Sequence, residues 1–427
     1  MTSAESAFVP EAPQPNPIPI PAEAIAPPRG VHGWVSPDFM ATAKAFALLF
    51  SRLRFGGGAL CVYADGHPVM DIWAGKATAE NDWSHDTAGL IFSASKGISA
   101  AVLHRLADRG LLDYDAPIAE YWPDFAANGK GRITIREALA HRAGLSRLDG
   151  IVEHLSHLAD LEEFERRMAA APIGPHFGRQ AYHSLTIGTI MSGIARGITG
   201  ESMRSLYQSE IAQPLGLQSL SLGRSPIPTV QHTAFVPALA PVMRHRSLEG
   251  RLPSTLERAK RLRGFGGTLR TLHVPGLEWW LADDGTPISP IYDIELPAGN
   301  AMVPAHELAK LYAALAGDGS VDGRRLLSPS TIRQLAPING TNFDRTLGVP
   351  CTFQLGYHTG PPLRSMSGSF GHVGLGGSTG WADPARGLAA GFVHNRLPTV
   401  GFADQTAFFA PLWPLIVRAA RVRRRLR

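Results

Sequence analysis

The sequence predicts an α+β protein with more than one structural part: an antiparallel sheet built from both ends of the chain, flanked by helices, with a largely helical insertion between. Three observations carry this. Two short apolar stretches, Ala59–Tyr63 and Val69–Ala74, flank Asp65-Gly66, a hairpin signature. Apolar residues then recur at helical spacing through the middle of the chain. Strand-like stretches return late, around Phe370–Gly374, Gly380–Ala382 and Leu388–His394. With 427 residues, 44% hydrophobic and 18% charged, the chain can bury a sizeable core, which excludes global disorder.

In chain order, residues 1–30 hold eight prolines among small and acidic residues, which reads as a loose, disordered arm. Ser36-Pro37 is an N-cap followed by proline and opens a helix through about Arg52. From about residue 93, Ile98, Val102, Leu103, Leu106 and Leu111 form a helical stripe. Ile133–Leu139 reads as a short strand or a cap leading into a helix. Further helices run from about Leu185 to Ala195 and from Ala305 to Ala316, and a terminal one from about Asp404 to Arg421. The unit over residues 31–427 thus divides into a sheet part, 31–90 with about 350–427, and a mostly helical part, about 91–349. Within the latter, residues 244–270 carry eight basic residues against Glu249 and Glu257. That stretch is read as a solvated, partly helical excursion, with a binding patch as the alternative. Trp279-Trp280 could pack it down as a lid.

Lys+Arg 41 against Asp+Glu 36 gives a net charge of +5, but six of those 41 are arginines between Arg418 and Arg427. Without them the balance is 35 against 36, so the body is close to neutral. A terminal tuft is not the stripe that nucleic acid requires. The arginines either offset the dipole of the last helix or touch an anionic membrane surface. Two cysteines, Cys61 and Cys351, make neither a disulfide framework nor a zinc cluster. No cofactor or metal is inferred, since the sixteen histidines lack His-x-x-x-His spacing. The first thirty residues lack the basic start and apolar core of a secretory signal, and no apolar run is long enough to span a bilayer. The expectation is a cytoplasmic protein.

The sharpest chemical signal is Ser93-Ala94-Ser95-Lys96. Residues i and i+3 share a helix face, so Lys96 can lie beside the Ser93 hydroxyl. A desolvated lysine has a lowered pKa and can take the serine proton, while free N–H groups at a helix start favour an oxyanion. Lysine is scarce, with only Lys44, Lys76, Lys96, Lys130, Lys260 and Lys310, so one inside an apolar helix start needs a reason. Tyr182-His183-Ser184 follows 89 residues on, and His372-Val373-Gly374 a further 190 on. Tyr182 is a candidate phenolate base or proton shuttle. An edge strand at His372–Leu375 would offer a backbone N–H to the oxyanion, with His372 as electrostatic partner.

These three motifs, in this order, resemble the serine β-lactamase-like superfamily, in its class C, D,D-peptidase and family VIII esterase branch. The stretches Gly110–Pro117, Ile133–Arg136, His141–Leu145, Leu326–Pro329, Gly371-His372 and Asp383-Pro384 fit the same family. The resemblance covers roughly residues 35 to 415 and implies a β-lactamase/transpeptidase-like fold. It also implies site roles: Ser93 as acylated nucleophile, Lys96 as its proton acceptor and Tyr182 as the relay to the leaving group. His372 and Gly374 stand in the third motif, and the N–H groups of Ser93 and Leu375 form the implied oxyanion hole. Ser184 stands where lactamases carry Asn, and His372 where they carry Lys, so an ester moves ahead of a β-lactam or a D-alanyl peptide as substrate. Transfer to another alcohol is a close variant, and a non-catalytic binding protein on the same fold is the reading from another class.

Three further residues need weighing. Gly376-Gly377-Ser378-Thr379-Gly380 matches Gly-x-Ser-x-Gly, but that elbow needs a helix after the serine. Trp381-Ala382-Asp383-Pro384 follows instead, so Ser378 is read as part of a glycine-rich turn. Trp381 either lines an acyl pocket or packs in the core. His141 is read as a structural hydrogen-bonding residue.

Overall fold

The central strands of this protein, seen here in a computed structural model, are buried on both faces of one main sheet, their side chains alternating between two separate cores. The structure describes residues 18–50, 56–78, 80–224, 233–234, 290–335, 342–360, 366–395, 408 and 411–426. The basic stretch 244–270, Trp279-Trp280 and residues 1–17 lie outside the described residues.

The chain enters the sheet through β1 (His32–Val35), β2 (Gly57–Ala64) and β3 (His67–Gly75). A small second sheet then uses β4 (Ala88–Leu90), β5 (Ser221–Leu222), β6 (Thr233–Ala234) and β7 (Ala301–Val303) in the order β5-β7-β4-β6. A minor hairpin, β8 (Ser320–Val321) and β9 (Arg324–Arg325), follows. The chain returns through β10 (Phe353–Gln354), β11 (Tyr357–Thr359), β12 (Phe370–Val373), β13 (Thr379–Asp383) and β14 (Leu388–His394). The main sheet has the order β1-β3-β2-β14-β13-β12-β11-β10 and is antiparallel throughout. Its two halves join where β2 pairs with β14, from Gly58 opposite His394 to Ala64 opposite Leu388. The sheet expected from both ends of the chain is therefore present.

At the hairpin, Asp65 and Gly66 both take positive φ (50° and 78°), the twist that a two-residue connection needs. Strand alternation then sends Leu60, Val62, Met70 and Ile72 to one face, against helices α1 (Met40–Phe50) and α6 (Trp413–Leu426). Ala59, Cys61 and Tyr63 point the other way, into the cluster holding α2 (Ser95–Asp108), α4 (Thr186–Thr199) and α5 (Ala305–Ala316). Helix α3 (Ile135–Leu139) starts at Thr134 in a full capping box with Glu137, which settles Ile133–Leu139 as a cap.

Four expectations need correction. Helix α2 ends at Asp108 and Gly110 turns the chain at φ 73°, so Leu111 lies beyond it and is exposed. Ser36 does not cap: it is buried and its hydroxyl makes no hydrogen bond, while Pro37 still opens a short 3-10 turn into α1. The terminal helix starts at Trp413, with Pro414 in its first turn where no N–H is needed. Strand β12 is not the edge strand of the sheet, because β11 pairs with it at Phe370 and Gly371 and β10 lies outside β11, both short strands without a clear sequence signal.

The described residues nearest each end of the chain are tied to the body. Ile25 and Val35 exchange backbone hydrogen bonds of 2.9 and 3.1 Å, and Glu23 pairs with Arg423 at 2.9 Å. Arg424 reaches Asp65 at 2.6 Å and the Arg386 carbonyl at 2.7 Å, so part of the arginine tail is spent within the fold. Cys61 and Cys351 are both free thiols. No helix among the described residues is long and apolar enough to cross a membrane.

Candidate active site

Ser93 sits in a 3-10 turn, Phe92–Ala94, that runs into α2. Phe92 takes φ 45°, a region that non-glycine residues enter at a cost of about 1–3 kcal/mol. The kink leaves Ser93 half-exposed while Lys96, one turn on, is buried to 1% exposure. Lys96 Nζ lies 2.9 Å from Ser93 Oγ and donates to the Ala298 carbonyl at 2.8 Å. Burial holds its pKa well below the usual 10.5, with no carboxylate to oppose the effect. A neutral amine has one lone pair, and the 2.9 Å separation is within reach for it to accept the serine proton.

Ala298 was not legible as a site residue, yet its loop is built for this contact. Ser95 Oγ accepts from Ala301 N at 2.9 Å, and Ser99 Oγ donates to Pro297 O at 2.8 Å. Asn300 closes the turn from both ends of its amide, accepting from Leu296 N and donating to Ile291 O and Ile294 O. Helix α4 presses on the loop at Gly188, where an added Cβ would stand 2.3 Å from Ala298 N. The local signal was the Pro297-Ala298-Gly299-Asn300 turn, whose distance from Ser93 in sequence hid it.

Tyr182 precedes α4, its hydroxyl in hydrogen-bonding reach of Ser93 and its ring centroid 5.1 Å from Lys96 Nζ. Burial raises its pKa above the ordinary phenol range, more than the Ser93 contact lowers it, so it carries its proton. A proton relay fits this state, and a standing phenolate base does not. Asp344, also missed, holds the tyrosine's backbone by accepting from Tyr182 N at 3.1 Å. It also binds the N–H groups of Thr346 and Leu347. Gln180 ties the same loop to Cys351 O and Phe353 N. His141 accepts from His183 N at 3.1 Å and its ring lies 5.0 Å from Tyr182, so it works as a structural hydrogen-bonding residue. Ser184 is buried just before α4.

The third motif approaches Ser93 through backbone. Gly374 N donates to Ser378 O at 2.7 Å and Gly377 N to Gly374 O at 3.0 Å, a tight turn that puts Leu375 N at the head of a 3-10 segment. Both Ser93 N and Leu375 N thus lie where a first helical turn leaves N–H groups without intrahelical partners. A Cβ on Gly374 would stand 2.1 Å from the Ile91 carbonyl, so only glycine lets this strand meet the serine turn. Gly374→Ala should lower kcat/KM at least about tenfold and destabilise the fold by about 1–3 kcal/mol. Ester kinetics beside thermal unfolding check it, and wild-type turnover would refute the close-approach argument.

His372 is buried, and its Nδ1 donates to its neighbour Val373's carbonyl at 3.0 Å, leaving Nε2 without a hydrogen-bond partner. Burial, with His358 and Lys96 nearby, pushes its pKa well below 6.5. It therefore acts as a neutral dipole and not as a cation. His358, unnoticed in the sequence, accepts from Val373 N at 3.1 Å, so that N–H is not free for an oxyanion. Trp381 is fully buried in the layer with Met366 and Leu388, a core position and not a pocket wall. Ser378 is buried too, bonded to the backbone of His394, with strand β13 after it and no helix.

Among the described residues, Asp71, His85 and His306 are of metal-ligating type and come within 4.8 Å. The two rings stack at 4.0 Å and 12°, so their lone pairs run parallel and do not converge. His85 also spends both nitrogens, on Asp71 at 2.9 Å and Asp86 at 2.7 Å. The ion pair ties the His85-Asp86 segment to β3, and the ring stack sets it against the start of α5. Burial lowers the pKa of His85, but hydrogen bonds to the two carboxylates outweigh it and raise it from 6.5 to about 10, while burial takes neighbouring His306 down to about 4. A raised folded pKa gives stability that is full below pH 6.5 and lost as pH climbs through about 10. His85→Gln should therefore lower Tm by a few °C at pH 6, with the gap to wild type closing by pH 10. A gap that widens with pH would reverse the assignment.

Comparison with known proteins gives the family. The Beta-lactamase family model matches residues 39–410. The chain is 42% identical over 402 residues to the esterase/beta-lactamase LipL of Mycobacterium tuberculosis, covering 92% of this chain and 89% of that one. A family VIII carboxylesterase superposes with TM-score 0.74 at 27% identity, over 90% of this chain and 99% of that one. A penicillin-binding protein homologue from Caulobacter crescentus gives 0.73 at 26%, over 92% and 99%. A match along nearly the whole chain, on a fold that brings Ser93, Lys96 and Tyr182 together, makes this enzyme a serine hydrolase of the beta-lactamase family.

Proposed function

We propose that the enzyme hydrolyses carboxylic esters through an acyl-enzyme on Ser93. The observation that carries this is the 2.9 Å contact between Ser93 Oγ and a buried Lys96 whose pKa is held low. As Oγ attacks the ester carbonyl carbon, its proton passes to Lys96 Nζ and the carbonyl oxygen becomes an oxyanion facing Ser93 N and Leu375 N. The proton then travels through the Tyr182 hydroxyl to the alkoxide oxygen, the C–O bond breaks and the alcohol leaves. Water, deprotonated by the same groups, resolves the acyl-enzyme to the acid and free Ser93. An alcohol in place of water would give transesterification.

An ester is favoured over a β-lactam because the third motif offers a neutral imidazole. A β-lactam or a peptide C-terminus carries a carboxylate, which a cation there would pair; buried His372 supplies none. Ser184 replaces the amide-bearing residue of lactamases in the second motif. The double name of the Mycobacterium tuberculosis relative keeps cephalosporin turnover as the second reading. The test is p-nitrophenyl butyrate and a chromogenic cephalosporin side by side, with phosphonate labelling mapped by peptide mass. Ester turnover well above cephalosporin turnover, with the label on Ser93, is expected. The reverse ranking would make it a lactamase, and a folded protein that neither turns over nor labels would make it a binding protein.

A further inference from the structure

Two large apolar side chains stand exposed on the pair of loops that hold Tyr182: Phe177, 47% exposed, and Phe343, 62% exposed. The loops are laced together, with Arg345 N donating to Gln180 O at 3.1 Å and Tyr182 N to Asp344 Oδ1 at 3.1 Å. Arg147, Arg179 and Arg345 are all exposed on this face. Besides burial, all three act on one imidazole, lowering the pKa of His176 beside Phe177, so the guanidinium groups share one small area. Among the described residues, Asp149 lies 3.8 Å from Arg147, and Asp344, on the loop of Arg345, is buried and bound by backbone N–H groups. Among the described residues Arg179 and Arg345 have no ion-pair partner. A chain whose body is almost neutral thus concentrates positive charge around two bare phenylalanines. Behind them, half-buried Leu347 and Val349 pack on Tyr182, Cys351 and Phe353, so an apolar path leads inward to the catalytic tyrosine.

We propose that this face docks on an anionic lipid surface and that the substrate is a lipid-like ester drawn from it; the second clause rests on the esterase reading. Aromatic rings settle at the boundary between head groups and acyl chains, and arginines beside them are attracted to anionic head groups. A soluble anion would explain the arginines but not the exposed rings, and an apolar partner would explain the rings but not the arginines.

The test is co-sedimentation of the full chain at low ionic strength with vesicles of phosphatidylcholine alone or mixed with phosphatidylglycerol. The variants are Phe177→Ser with Phe343→Ser, and Arg179→Glu with Arg345→Glu; p-nitrophenyl acetate turnover is followed in each. Wild type should bind the mixed vesicles, release in high salt and ignore neutral ones, and each double variant should bind at least about tenfold more weakly. Soluble ester turnover should stay at the wild-type level. The proposal is overturned by a wild type that does not sediment, by equal binding to neutral vesicles, or by double variants that sediment like wild type. A dimer that the phenylalanine pair dissociates, without vesicle binding, would overturn it in favour of a second copy. Vesicle binding by a protein that hydrolyses no ester would remove the esterase reading and leave the docking face standing.

Discussion

Ser93→Ala is expected to cut p-nitrophenyl butyrate hydrolysis by at least about a thousandfold while leaving the fold intact. The size follows from the mechanism. Without Oγ there is no covalent intermediate, and the remaining groups can only orient water against the ester. Ser93 is half-exposed and its Oγ bonds toward Lys96 and Tyr182, so its loss leaves no large cavity. Unfolding temperature and circular dichroism should match wild type, and the phosphonate label should disappear. Ser378→Ala is the control, because Ser378 is buried against His394 and cannot meet a substrate without opening β13 and β14. Its turnover should stay within a few-fold of wild type. Loss confined to Ser378→Ala would relocate the nucleophile and discard the lysine-base mechanism.

What the sequence disclosed divides along a physical line. Contacts within one turn or one element were legible. The i, i+3 pair Ser93 and Lys96 needs only helical geometry, the Asp65-Gly66 hairpin only its turn, and α5 only its apolar period. The three motifs could be aligned through the family resemblance because each is a short string. Groups that act through backbone or across the fold left no local mark. The Ala298 carbonyl that holds Lys96 stands 202 residues away and its side chain carries no information. His358 reaches Val373 N only because β11 lies beside β12, and Asp344 reaches Tyr182 N across 162 residues. The error over β12 has the same origin: a strand's neighbours are decided by strands as short as Phe353–Gln354, too brief to show alternation. The charge of His372 likewise depended on its burial, which the sequence does not state.

Lys96→Met separates what this lysine does for chemistry from what it does for folding. Met fills nearly the same volume and cannot accept a proton, so kcat should fall at least about a thousandfold, close to the loss in Ser93→Ala and not additive with it. Stability should move the other way. Native Lys96 is buried with its pKa lowered well below that of the unfolded chain, which carries it charged up to about pH 10.5. Folding is therefore opposed by the desolvation of this ammonium or by the loss of its proton, and Met removes that cost. Between the lowered native pKa and the ordinary lysine value the unfolded state binds the extra proton, so wild-type stability rises with pH in that window. The excess Tm of Lys96→Met should accordingly be largest near neutral pH and shrink toward pH 10.5. The Ala298 carbonyl loses its donor in this variant and offsets part of the gain, so rescue of stability without activity is the decisive signature. On the proposed mechanism the same proton should set an acid limb in kcat/KM, since protonated Lys96 cannot take the serine proton, and the lowered pKa should place that limb below the ordinary lysine range. The alkaline limb is expected from Tyr182 and should lie above the ordinary phenol range, since burial raises its pKa. An acid limb unchanged in a residually active Lys96→Met enzyme would assign the titrating base to another group and sink the lysine mechanism.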